Sequence, residues 1–514
     1  MRFKSIIVVF FVSLFASISV GQVTYKDVAP IFYSRCTSCH NQYSHGTPLL
    51  NYSEVNSNAS SIEAYLTSGY MPSWKPDTSY TRFVHEHIIT LAEKIAILNW
   101  IANGAVKGDT TQAPAAPVYT RYQLTGTPDL ELKIPTFVSN ASSTDSHVSF
   151  ALPTGITQDN IIRAFEIVAG NPSIVHHVIV SIDTTGTQVS NTTNGAAFPP
   201  SGNIIIGGYA PGANPAVYPG QAPLKMGTLL KKGSNIVFNI HYPAGTAGQA
   251  DSTKIRIYFY PTGTAGVRLV KRLAIHNNSL NIPANTVDTF TAQYPHTSGT
   301  ITSAMSIFST FPHSHHLCTQ ILNYAYPATD TIPLIKINNW DFNFQGYYTY
   351  KKLVKVNPSY KLYAKHVFDN TTQNPNNPSN PPINVSFGSN SSDEMLEDVY
   401  EYIDYQPGDE FINVDSLLSK DSLLITSIKQ NLFLTNNINN YVYPNPNKGY
   451  FIVSSGEGSK FIEISDMLGN VIYQTTSSEQ NHYVNLVDKS PGVYYVKITF
   501  ANSNKTSVMK IIVQ

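Results

Sequence analysis

His313-Ser314-His315-His316 is answered 80 residues later by Met395, in Ser391-Ser392-Asp393-Glu394-Met395. On a strand, residues two apart point to the same face, so His313 and His315 can aim two imidazoles at one point. Two imidazoles and a thioether suit copper. The soft sulfur stabilises Cu(I), and nitrogen tolerates Cu(II). Such a site supports one-electron and oxygen chemistry. His176-His177, inside Ile174–Val180, and His241-Tyr242, inside Phe238–Tyr242, add three imidazoles in apolar, strand-like runs. A buried imidazole needs a partner, and a metal is one way to provide it. Neighbours on a regular strand face opposite ways, so His176 and His177 share an ion only if the strand bulges or ends there.

Cys36-Thr37-Ser38-Cys39-His40 has the spacing that attaches a c-type haem, with two thiols for the vinyl groups and His40 for the iron. A zinc half-site or a redox dithiol is the alternative. Met71, in Tyr70-Met71-Pro72-Ser73-Trp74, is the expected distal ligand, since a thioether raises the haem potential. His45, His85 and His87 are its rivals.

The elements that must carry these residues differ along the chain. Residues 1–21 read as a secretory signal: Arg2 and Lys4, an apolar run from Ile6 to Phe15, then Ser19-Val20-Gly21. Its removal takes the net charge of zero to about −2. Residues 22–108 read as a small helical haem domain whose last helix, around Glu93–Ile101, ends at Gly104. Residues 109–128 read as a linker. From 129 to 412, short β-branched and aromatic runs between turn clusters predict antiparallel β-sandwiches, divided near Gly263–Gly266 into 129–265 and 266–412. Residues 413–440 read as a second linker, and 441–514 as a small β-sandwich. The fold class expected is therefore multidomain and mainly β.

Composition agrees with export. Charged residues are 13% of the 514, against roughly 25% in an average soluble domain. No charge run suggests nucleic acid or an anionic membrane as partner. Of three cysteines, Cys318 is left without a partner, so stability rests on cores, metals and cofactor.

Three resemblances extend this reading. Residues 22–108 resemble small class I cytochromes c. The order His-His, His-Tyr, His-x-His-His, Ser-Ser-Asp-Glu-Met over 129–412 resembles the copper type II ascorbate-dependent monooxygenases, which include the peptidylglycine α-hydroxylating and dopamine β enzymes. That resemblance implies two jelly-roll-like sandwiches facing across a cleft. His176, His177 and His241 would bind an electron-storing copper. His313, His315 and Met395 would bind the copper where O2 reacts, with His316 beside it. It implies hydroxylation of a C–H bond of a small substrate. The peptide-amidating members hold a carboxylate with an arginine at the position of Phe311, so a neutral or apolar substrate is expected here. The electron donor would be ascorbate-like, a redox protein or the fused haem. A copper and haem electron-transfer protein without hydroxylation is the alternative. Finally, Tyr443-Pro444-Asn445-Pro446-Asn447, Asp466-Met467-Leu468-Gly469-Asn470 and Pro491-Gly492-Val493-Tyr494 resemble the type IX secretion sorting domain. This implies export through the periplasm to the surface or exterior of a Gram-negative cell, with the type IX machinery as partner.

Overall fold

The computed structural model describes residues 23–424 and 440–513, apart from 45, 196–198, 201, 212, 297–298, 328–329, 389, 444, 448, 456–457, 480 and 502–505. The expected signal, His45 and most of the expected second linker lie outside the described residues. Strand outweighs helix, 41% to 11%. Among the described residues no helix is long and apolar enough to cross a membrane.

The N-terminal unit holds helices Tyr25–Arg35, Tyr52–Ser57, Ala59–Ser68 and Leu91–Ala102. Capping boxes Thr24/Asp27 and Thr90/Glu93 start the first and last helices by satisfying orphan N–H groups. Glu93 also accepts from Arg35 Nε at 3.0 Å, which ties those two helices together. Trp100, fully buried, gathers Tyr25, Phe32 and Tyr52 at 6.1, 6.4 and 6.5 Å. Gly104, at φ +86°, ends the last helix as expected.

The unit is not continuous. Residues 70–89 leave it and dock on the second β unit. The N–H groups of Asp77 and Val84 donate to Lys336 and Thr349 carbonyls at 2.8 and 2.7 Å. Phe83 enters that unit's core beside Tyr348 and Tyr350. Pro72 and Pro76 disfavour helix here, so the segment runs extended.

The first β unit packs two sheets on one core. One sheet runs Leu130–Lys133, Lys254–Phe259, Asn160–Val168, Leu224–Leu230, Val267–Leu269; the other runs Ser146–Pro153, Asn235–Tyr242, His177–Asp183, Ile204–Tyr209. Phe150, Val180 and Phe238 meet Phe165, Ile255 and Ile257 between them. Val267–Leu269, just past the expected division, pairs in parallel with Leu224–Leu230 and so joins the sheet of this unit.

The second β unit repeats the plan. Lys271–His276, Glu397–Asp404, Met305–His313 and Tyr348–Val356 face Val287–Tyr294, Lys361–Asp369, Cys318–Tyr326 and Ile332–Ile337. Cys318 is buried and free.

Described residues of both expected linkers pack against the β units. Leu124 from one, and Val414, Leu418 and Leu424 from the other, are buried with Tyr218, Met226, Phe308 and Ile403 at the seam between the β units. Val414–Ser419 is a short helix capped by Asn413. Arg163 pairs with Asp421 at 2.8 Å, and the Gln123 N–H donates to Glu166 at 2.7 Å. These apolar residues are too sparse for a periodic signal, yet each fills a gap at the seam.

In the C-terminal unit, Tyr441–Tyr443, Tyr450–Ser454 and Asn481–Asn485 form one sheet. Val471–Ser477, Lys460–Asp466, Gly492–Phe500 and Thr506–Val513 form another. Their shared core includes Phe451, Ile462, Val496 and Ile511.

Candidate metal centres and the cleft between them

Strand register builds the first histidine cluster. His241 lies directly opposite His177 on one neighbour and His147 on the other. The strand begins at His177, and the His176 N–H instead donates to the His241 carbonyl at 3.0 Å. The strand thus ends where the adjacent histidines require it to, and both rings reach one point. His177 Nδ1 lies 3.1 Å from His176 Nδ1 and 3.4 Å from His241 Nδ1. Metal–imidazole bonds of about 2.0–2.1 Å around a tetrahedral centre set nitrogens roughly 3.3 Å apart. The three donors therefore fit a metal ion.

The surroundings keep them ready for one. Burial, then repulsion from His241, holds His176 down at about 4 and His177 well below the imidazole range. Neutral rings keep the lone pairs a metal needs. The Asp145 carboxylate sits 2.9 Å from His241 Nε2, which leaves Nδ1 as the donor, and the hydrogen bond to His241 holds that carboxyl well below its usual range. His147 stacks on His241 at 4.3 Å with planes 13° apart. Parallel rings cannot share an in-plane ion, so His147 fixes the His241 ring instead of adding a ligand.

The second cluster forms where Met305–His313 meets Glu397–Asp404. His313 pairs with Glu397, and just beyond the paired residues the backbone N–H groups of His315 and Met395 share the Glu394 carboxyl. The His313 and His315 rings lie 5.1 Å apart at 83°. His313 Nδ1 is 2.6 Å from Gln345 Oε1, and His315 Nδ1 is 3.0 Å from the Asp393 carbonyl. Burial holds their imidazoles at about 4 and about 3. The fully buried Glu394 carboxyl accepts from the N–H groups of His315, Leu317 and Met395, at 3.0, 2.5 and 3.1 Å. Ser314 Oγ donates to the Met395 carbonyl and lies 3.0 Å from His366 Nδ1, whose Nε2 is 3.0 Å from Asp398. All three side chains of this Ser–His–Asp chain are inaccessible to solvent, so it braces the turn and performs no nucleophilic chemistry.

Phe342 stands between the clusters, 5.9 Å from the His176 ring, 5.6 Å from His315 and 4.4 Å from His316. Beside it is a cavity of about 240 Å³ lined by His176, His177 and His313 and by Phe311 and Tyr347. Phe311 lies parallel to His313 at 6.2 Å and packs on Tyr347 at 4.8 Å.

The N-terminal unit also reaches this cavity, through Trp74, His85 and His87. His85 and His87 thus line the same cavity as His176, His177 and His313. His85 sits at φ +56°, a strained conformation for a non-glycine residue that clusters at functional sites. At the other end of the unit, the N–H groups of Cys39 and His40 both return to the Cys36 carbonyl, at 3.1 and 2.9 Å, so the motif is one tight turn. His40 Nδ1 lies 2.9 Å from the Thr47 carbonyl, which directs Nε2 away as the remaining donor. A Cβ on Gly46 would lie 2.7 Å from His40 Nδ1, so only glycine fits beside the ring. Met71 lies after the third helix, half-buried, its N–H on the Tyr65 carbonyl at 3.2 Å.

Sequence reasoning missed His147, Gln345, Phe342 and His366. His147 belongs to the first cluster through register alone, and the others come from segments with no motif.

Residues 264–412 match the family model for the copper type II ascorbate-dependent monooxygenase C-terminal domain, and residues 441–514 match that for the secretion system C-terminal sorting domain. No curated protein matches the chain. Among solved structures, PorZ of the type IX secretion system of Porphyromonas gingivalis is 26% identical over 15% of this chain and 11% of its own, with a TM-score of 0.14. This chain thus spans about a tenth of that relative. A biofilm-associated protein BSP domain is 8% identical over 75% of this chain and 81% of its own, with a TM-score of 0.17. At TM-scores of 0.14 and 0.17 neither likeness bears on the fold. The sorting domain makes this a secreted or cell-surface protein.

Proposed function

We propose that this protein is a secreted copper monooxygenase that hydroxylates a C–H bond of a neutral or apolar small molecule with O2. The observation that carries the reading is the convergence of His176, His177 and His241 on one point, across Phe342 from His313 and His315. The family match over residues 264–412 supports it.

In this reading His176, His177 and His241 hold one copper, and His313, His315 and Met395 hold the other. Copper bound at both would supply the two electrons that O2 activation requires, one from each site. The protein's residues do the rest. Asp145 and His147 set the His241 ring. Glu394 and Ser314 hold the His313–His315 turn against Met395. Phe311 and Tyr347 offer the substrate an apolar surface where an arginine would select a carboxylate.

The N-terminal unit would hold a c-type haem through Cys36 and Cys39, with His40 and Met71 as the side chains that would bind its iron. The tight turn, the Thr47 bond and the glycine at position 46 fit that group. The segment following Met71 leads through Trp74 to the cavity wall, which supports a role for the haem as electron donor beside, or in place of, an ascorbate-like reductant.

Turnover under 18O2 with ascorbate and a panel of neutral apolar molecules tests the reading. Label in a hydroxylated product is expected. Oxygen consumption without labelled product would contradict hydroxylation and leave an electron-transfer protein.

A further inference from the structure

We infer that the loop Asp341–Gln345 is a positioning element shared by both histidine clusters, acting through Gln345 and Phe342. This rests on the reading that both clusters hold copper. Each residue of the loop has an assignment. Gln345 Oε1 lies 2.6 Å from His313 Nδ1. Its amide nitrogen is committed to the Phe342 carbonyl at 2.8 Å, so oxygen is the atom turned to the imidazole. An amide oxygen only accepts, which places the proton on Nδ1 and the lone pair on Nε2, the tautomer a ligand needs. Asn343 Oδ1 reaches His176 Nε2 at 3.5 Å, leaving Nδ1 to the first cluster. Phe342 fills the space between His176 and His315.

The loop is anchored from behind. The N–H groups of Asn343 and Phe344 both return to Asp341, at 3.0 Å each. Asp341 pairs with Lys75 at 3.5 Å, and Phe344 packs edge-on against Tyr70 at 5.4 Å with Lys75 over its face. Tyr70 and Lys75 belong to the N-terminal segment that docks on this unit. One loop therefore links the orientation of both clusters to the seating of that segment, and a displacement of it moves donors of both clusters together.

The test titrates the full chain with copper(II) against a competing chelator and records its electron paramagnetic resonance spectrum. Gln345→Met keeps the shape but cannot accept from Nδ1. It is expected to weaken copper at the His313 cluster roughly 10- to 100-fold, the usual effect of removing a ligand's outer partner, with the His176 cluster unchanged. Gln345→Glu retains the acceptor and is expected to restore wild-type affinity. Phe342→Leu is expected to alter the spectra of both sites. Wild-type affinity and spectra in Gln345→Met would overturn the inference. If that variant does not fold, Phe342→Leu decides, and a change at one site alone, or at neither, overturns it. A wild-type chain that takes up no copper would defeat the copper reading first, and this inference with it.

Discussion

Ser314, between the two histidines of His313-Ser314-His315, donates its hydroxyl to the carbonyl oxygen of Met395, joining two motifs 80 residues apart. Glu394 strengthens the join by collecting the N–H groups of His315 and Met395 on one carboxyl. Replacing Glu394 with Ala leaves buried N–H groups without acceptors, at about 1–3 kcal/mol for each one stranded. The variant is expected to melt several degrees lower and to lose copper from the Met395 site while keeping it at the His176 site. Calorimetry with metal analysis checks this, and unchanged copper content would refute the join.

Met395→Ala probes the thioether itself. It should retain copper at His176, His177 and His241 and lose hydroxylation. Full activity in this variant would remove sulfur from the account.

Asp145 holds His241 in the tautomer that offers Nδ1. Asp145→Ala is expected to weaken copper at the first cluster by about 10- to 100-fold and leave the second unaffected. A chelator competition assay measures both.

Gly46→Ala places a methyl 2.7 Å from His40 Nδ1. His40 must move, and in the proposed haem unit the absorption spectrum is then expected to lack the signature of an imidazole on the iron. A wild-type spectrum would contradict the assigned ligand.

Asp77 anchors the N-terminal segment through Asn338 and Lys336 at 3.0 and 3.3 Å. Hydrogen bonding, led by the Ser79 hydroxyl, brings its carboxyl from 3.8 down to about 2. A lowered carboxyl contributes stability that is present above its ordinary value and lost as pH falls through the folded one. The Asp77–Ser79 turn, and with it the contacts to Asn338 and Lys336, should therefore weaken between about pH 4 and pH 2, relative to Asp77→Asn. Trp74 fluorescence, compared between the two proteins over that range, reports it, and identical curves would exclude Asp77 as the anchor.

What was legible followed from local chemistry. His176-His177, His241-Tyr242 and His313-x-His315 declare themselves by residue type, and strand periodicity placed them. Strands of the C-terminal unit are visible because Tyr450–Ser454 is an apolar run and Thr506–Val513 is rich in β-branched residues. Less could be read where position depends on tertiary register. His147 joins the first cluster only because its strand lies beside that of His241. Phe342 and Gln345 sit on a loop whose neighbours in sequence carry no metal ligand. Residues 70–89 follow a helix and precede another, yet Phe83 gains more by entering the core of the second β unit. The seam hid Leu124 and Leu424 for the same reason, since isolated apolar residues look like linker until a partner surface exists.

The central claim is that two separate side-chain triads each hold one copper, and metal analysis of the full chain and two variants tests it most directly. Wild type should carry two copper ions, and His177→Ala and His315→Ala one each, with different sites surviving. Retention of both ions in either variant, or none in the wild type, would contradict the account.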